Sequence, residues 1–197
     1  MGNAVKKNCL TRINFRWLAG LSLMAIANVC HAADADLVDL MKLLAAAPAT
    51  EVAFTEKKFS SLLAEPVISS GKLVYRRPDI VEKNIEVPRK ESYRFAGDTL
   101  LLVRNGTEKK IALSSQPLLS AFAASLRGVL GGDLMLLRNY YQLSLQGALT
   151  SWRLDLTPID EDTSRFVQRI TVSGQAGRIS QIVVNETSGD RSVLQVR

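Results

Sequence analysis

The stretch Thr99-Leu100-Leu101-Leu102-Val103-Arg104-Asn105-Gly106-Thr107-Glu108-Lys109-Lys110-Ile111-Ala112-Leu113 holds two extended runs joined by an Asn-Gly pair. Both residues of that pair tolerate positive φ, which a two-residue turn between twisted antiparallel strands requires. Upstream the same period of two runs through residues 52–59, 67–76, 80–87 and 91–95, with Pro, Gly or Asp between the segments. Downstream it returns in 142–146, 151–157, 165–173, 178–186 and 192–196, with Gly174, Gly177 and Gly189-Asp190 at turns. Consecutive antiparallel strands are predicted.

Two helical regions interrupt this pattern. Leu37, Leu40, Met41, Leu43 and Leu44 recur at helical spacing after Asp34 or Asp36, either of which can cap the helix, and before Pro48. The second region spans 114–141. Ser115 and Pro117 mark its start, Leu118, Leu119, Phe122, Ala123 and Leu126 form a stripe, Gly128 is expected to end the first helix, and another follows from Asp133. The predicted fold class is therefore mainly β: an incomplete antiparallel barrel, or strongly curved sheet, with an N-terminal helix and a helical insertion over one mouth. Such a shape suits a ligand cavity.

Composition narrows the function further. Lys6, Lys7, Arg12 and Arg16 precede an apolar run over 17–29 and small residues at Cys30, Ala32 and Ala33, the pattern of a secretory signal peptide covering 1–32. The run is too short for a membrane span. Residues 33–197 are expected to form a single exported domain. Removing the signal takes four of the 25 basic residues and none of the 19 acidic ones, so the formal charge falls from +6 to +2. With no basic patch interleaved with aromatics, nucleic acid is not an expected partner. The only histidine, His31, and both cysteines, Cys9 and Cys30, leave with the signal. What remains lacks the usual imidazole and thiolate groups of catalysis and metal binding, has no Gly-x-Ser-x-Gly elbow and no phosphate-binding glycine loop. No enzyme activity, metal or cofactor is expected. Ser70 and Lys72 resemble a Ser/Lys pair, but they sit in an ordinary strand pattern.

Three stretches carry a family resemblance: Phe54-Thr55-Glu56-Lys57, Ser70-Gly71-Lys72-Leu73-Val74-Tyr75-Arg76-Arg77-Pro78-Asp79, and residues 179–192 with Glu186 before Asp190-Arg191-Ser192. In this order the chain resembles the LolA-like family of periplasmic outer-membrane lipoprotein carriers. The resemblance implies an incomplete barrel whose helical lid encloses the acyl chains of a lipidated cargo, loaded by an inner-membrane donor and passed to an outer-membrane acceptor. It places the family's lid-locking arginine at Arg77, the Arg of the Arg-Pro pair. Alternation puts Leu73, Tyr75 and Arg77 on one strand face, so an apolar wall would end in a guanidinium able to bond lid carbonyls. Phe54, Leu73, Tyr75, Leu118, Leu119, Phe122 and Leu126 are the expected lipid-binding residues. Read without the resemblance, the helical stripe is ordinary core and Arg77 a solvated charge at a strand end. Glu82, Asn84 and Glu86 read as a wet outer face. Classical members continue into a further C-terminal element, whereas this sequence stops at Arg197, which leaves the cargo open among lipoprotein, glycolipid and polyene lipid. A monomer is expected. The competing reading is a periplasmic protein-interaction or sensing module that uses the same curved sheet with its helices packed permanently as core.

Overall fold

The computed structural model describes residues 28–48 and 51–197. The predicted signal segment lies outside the described residues up to residue 27. Helix α1 (Asn28–Ala46) begins upstream of Asp34 and Asp36, so neither caps it, and it spans the cleavage point expected after Ala32. Leu37, Leu40, Met41 and Leu44 are buried along one side, while Leu43, expected in the same stripe, is exposed.

Eleven strands follow: β1 (Glu51–Phe59), β2 (Val67–Arg76), β3 (Ile80–Val87), β4 (Glu91–Ala96), β5 (Thr99–Arg104), β6 (Thr107–Ala112), β7 (Tyr141–Ala148), β8 (Ser151–Pro158), β9 (Val167–Gln175), β10 (Arg178–Glu186) and β11 (Arg191–Val196). The hairpin between β5 and β6 turns at Asn105 and Gly106 with φ of 52° and 74°, the positive values that the Asn-Gly pair predicts. All strands form one antiparallel sheet in the order β6-β5-β4-β3-β2-β1-β11-β10-β9-β8-β7. The chain thus lays down one half from β1 outward to β6, then builds the other half from β7 back to β11, which pairs with β1. The open edges are β6 and β7, and the segment linking them is the helical insertion. It consists of a 3-10 turn at Leu113–Ser115, α2 (Pro117–Gly131) and α3 (Leu134–Tyr140).

Gly128 does not end α2. The helix runs one turn further, to a cap at Gly132 in the left-handed region (φ 68°). A Cβ on Gly128 would stand 2.5 Å from Leu137 Cγ, so its bare backbone serves the close approach of α2 and α3. A short helix unforeseen in the sequence, α4 (Glu161–Ser164), is capped by the Asp160 carboxylate, which accepts from the Thr163 amide at 2.8 Å.

Two apolar clusters share α2. Leu37, Leu40, Met41 and Leu44 of α1, Leu137 of α3 and Leu154, Leu156, Ile170 and Val172 of β8 and β9 pack with Ala121 and Val129. On the other side Tyr75, Val81, Phe95 and Leu100 pack with Ala123.

Candidate functional site

Strand register shows which side chains share the concave face. Tyr75 pairs with Val81, Val81 with Phe95, Phe95 with Leu100 and Leu100 with Ile111, an unbroken apolar row across five strands. Leu119, Phe122, Leu126 and Leu130 of α2 pack against this row, with the Phe95 and Phe122 ring centroids 6.1 Å apart. Two residues further along the strands the row reads Leu73, Lys83, Tyr93, Leu102 and Lys109, and two further still Gly71, Ile85, Glu91 and Arg104. This half of the concave face therefore grades from purely apolar beneath α2 to charged about 13 Å away. In the other half the row Leu145, Leu154, Val172, Ile182 and Leu194 is apolar throughout, while the next, Leu143, Leu156, Ile170 and Val184, ends on Ser192 of β11.

The stripe expected as one lining is divided between these surfaces. Leu118 packs on the α1 and β8 side, Leu119 and Leu126 on the β2 to β5 side, and Phe122 touches both. Phe54 and Tyr75 are buried and Leu73 is half-buried. Between α2 and strands β9 and β10, an apolar crevice lined by Phe122, Leu126, Val129, Ile170 and Ile182 holds only about 20 Å³. That suffices for a water-sized body, whereas small-molecule pockets run to roughly 300 Å³ or more. An acyl chain can lie here only if α2 moves away. The larger depression, about 330 Å³ around Gln146, Trp152, Arg153, Ser173 and Ser180, is open and lined by polar and apolar groups alike.

Two arginines hold the helices down. The Arg77 guanidinium donates to the carbonyls of Ala45 and, at 2.8 Å, Ala47, and lies 5.8 Å from the centre of the Tyr75 ring. These carbonyls belong to the end of α1 and the residue after it, not to the insertion to which the sequence reading assigned the lid. Four terminal carbonyls of any α-helix lack intrahelical partners, and a cation beside them also complements the helix dipole. Arg127 of α2, which the sequence gave no reason to single out, donates through Nε to the Asp79 carbonyl at 2.9 Å and through one terminal nitrogen to the Gly97 carbonyl at 2.8 Å. It ties α2 to the β2–β3 and β4–β5 turns. At the entrance to the insertion, Asp98 accepts from the Ser114 amide (2.7 Å) and hydroxyl (2.6 Å), which hold its carboxyl below the usual range. The helices are coupled in turn. A Cβ on Gly132 would fall 2.2 Å from the Met41 carbonyl oxygen, so the end of α2 lies directly on α1.

On the charged rows, Lys83 reaches Glu56 of β1 at 2.6 Å, and its ammonium stands 5.3 Å from the Phe54 ring centre. Between them β2 presents Gly71, which leaves the path across the sheet free of a side chain. Glu56 also accepts from Ser192 (2.6 Å) and Ser69 (3.3 Å). Burial works to raise the Glu56 carboxyl, but the Lys83 charge and hydrogen bonds from Lys83, Ser192 and Ser69 outweigh it and hold the group below the ordinary value of 4.5. On β4 Glu91 accepts from the Tyr93 hydroxyl at 2.8 Å and from Arg104 Nε at 2.7 Å. Glu82 and Asn84 lie on the opposite face, Glu82 paired with Arg76 at 2.8 Å and Asn84 accepting from Ser92 at 2.7 Å.

Among the described residues no group of three or more His, Cys, Asp or Glu side chains could hold a metal, and no helix is long and apolar enough to cross a membrane.

A family model described as outer membrane lipoprotein carrier protein LolA-like matches residues 27–195. Among solved structures, the chain is similar to a LolA superfamily protein of Nitrosomonas europaea (14% identity, TM-score 0.47, covering 84% of this chain and 91% of that one). It is also similar to the Mycobacterium tuberculosis lipoprotein LppX (11% identity, TM-score 0.42, 83% and 94%) and to the Pseudomonas aeruginosa MucA/MucB complex (15% identity, TM-score 0.43, 82% and 55%). No protein of curated function matches the sequence.

Proposed function

The chain belongs to the LolA-like family of outer membrane lipoprotein carrier proteins, and from that premise we propose that it is an exported, periplasmic carrier of acylated cargo. In this reading the acyl chains lie where α2 now lies, against Tyr75, Val81, Phe95 and Leu100, with Phe122 at the centre of the lid. The observation that carries it is the pairing of an apolar row with a helix held by breakable ties. Arg77 and Arg127 donate to backbone carbonyls rather than to buried carboxylates, so opening exchanges those bonds for water and strands no buried charge. Covering one chain of about 16 carbons supplies on the order of 10 kcal/mol at ~0.8 per CH₂, before ordering costs reduce it. That is comparable with what Leu119, Phe122, Leu126 and Leu130 gain from the same surface, so the chain can take their place, and it keeps the cargo from diffusing freely. Loading from an inner-membrane donor and delivery to an outer-membrane acceptor belong to the same proposal, with Arg77 as the lid lock.

The test compares two charge changes by titration with a fluorescent acyl probe. Phe122→Glu puts a carboxylate against the apolar row and is expected to weaken binding at least tenfold, while Glu82→Ala on the outer face leaves it unchanged. Equal binding by both variants would mean that α2 is permanent core and that the chains do not enter beneath it.

A further inference from the structure

Resting on the acyl-carrier reading, we propose that the charged rows of the concave face form a second subsite, which holds the uncharged, hydrogen-bonding end group of the cargo. Glu56, Lys83, Tyr93 and Glu91 are its core, with Ser69 and Ser192 beside them.

Placement is the first reason. The Glu56 and Lys83 side chains are 19% and 24% exposed and Glu91 9%, and all three lie on the inner face, the side on which the apolar row beneath α2 packs. A buried ion pair is a poor stabiliser compared with apolar residues of the same volume. In the other half the row Leu145, Leu154, Val172, Ile182 and Leu194 crosses five strands without a charge, so packing alone does not call for charge here. Continuity is the second. Tyr93 packs its ring against the apolar cluster beneath α2 and directs its hydroxyl to Glu91, so a ligand leaving the apolar row meets the polar one within about 7 Å. The third is accessibility: the hydrogen-bond partners of Glu56 and Glu91 come from strands β2 to β5 and β11, and Lys83, Tyr93, Glu56 and Ser69 are half-buried rather than sealed.

Charge balance sets the ligand class. In the core of the subsite Lys83 is matched by Glu56 at 2.6 Å and Arg104 by Glu91 at 2.7 Å, so these four charges cancel; Lys109, the further cation of the row, is exposed on the edge strand β6. A phosphate would meet two carboxylates with both cations already engaged. An end group with several neutral donors and acceptors can instead accept from a free hydrogen of the Lys83 ammonium and donate to the Tyr93 oxygen, Glu56 and Glu91. Amides of an acylated peptide and hydroxyls of a glycolipid share that chemistry.

The experiment displaces a fluorescent acyl probe from the folded protein with three competitors of equal chain length: an N-hexadecanoyl dipeptide amide, a hexadecyl glucoside and hexadecyl phosphate. At least one neutral competitor is expected to bind about tenfold more tightly than the phosphate, and whichever does identifies the source of the end group. In the paired variant Glu56→Gln/Lys83→Met, which removes both charges together, that ratio is expected to fall to near one. Tyr93→Phe, a smaller change that keeps the ring, is expected to reduce it in part and decides the matter if the paired variant does not fold. A phosphate bound as well as the neutral competitors, or a ratio unchanged in the folded variants, would overturn the subsite while leaving the carrier reading intact. Failure of the wild-type protein to take up any acyl probe would overturn both.

Discussion

Replacing Arg77 with Leu removes two charged hydrogen bonds to the end of α1 and leaves an apolar stem over the Tyr75 ring. Hydrogen bonds of this kind are worth about 1.5–3 kcal/mol each where water is excluded. Arg77 is exposed, so water competes and the pair together retains about 1–2 kcal/mol, including the favourable placement of a cation at a helix C-terminus. Because Gly132 at the end of α2 lies on the Met41 carbonyl, loosening α1 loosens the lid as well. The open population is then expected to rise by about 5- to 30-fold, the factor that 1–2 kcal/mol commands. Stopped-flow uptake of a fluorescent acyl probe should accelerate by that factor in Arg77→Leu, and amides in the last turn of α1 should exchange faster with solvent. Uptake at the wild-type rate would refute the reasoning, even if exchange showed the helix to be looser.

Arg127→Leu frees α2 from the β2–β3 and β4–β5 turns and is expected to speed uptake by about tenfold, with faster amide exchange in α2 rather than α1. Gly132→Ala forces a Cβ into the left-handed region and toward the Met41 carbonyl; a loss of about 1–3 kcal/mol is expected, read as a melting temperature lower by several degrees. Glu56 gives a pH dependence of known sign. Its carboxyl is lowered in the folded protein, so its contribution is present above the unfolded value of 4.5 and disappears as pH falls through the folded value. Urea midpoints of wild type and Glu56→Gln should therefore differ at neutral pH and converge as the pH falls below 4.5.

The succession of strands and the hairpin at Asn105-Gly106 were legible because period-two alternation and turn chemistry are local, whereas the pairing of β1 with β11 joins distant segments and left no such mark. Gly128 misled because a glycine near the end of a helical pattern reads as a cap, while its use here, contact with Leu137, depends on α3 folding back. The dividing of the α2 stripe was hidden for a similar reason: a helix wedged between two sheet halves buries more than one face, so Leu118 and Leu119 serve different clusters. Arg127 carries no local signal, since backbone carbonyls of any sequence can receive it. The Glu56 and Lys83 pair was hidden by 27 residues of separation and by a reversal of pattern within β1. There the inner-facing positions run Val52, Phe54, Glu56 and Lys58, so polarity stops marking the outer face halfway along the strand.

The most direct test of the carrier reading is to recover the protein from its native compartment without detergent and weigh it intact by native mass spectrometry, then extract and identify what it holds. One acylated molecule bound per chain, with a neutral end group, is the predicted result. A ligand-free protein that also takes up no acyl probe would contradict it.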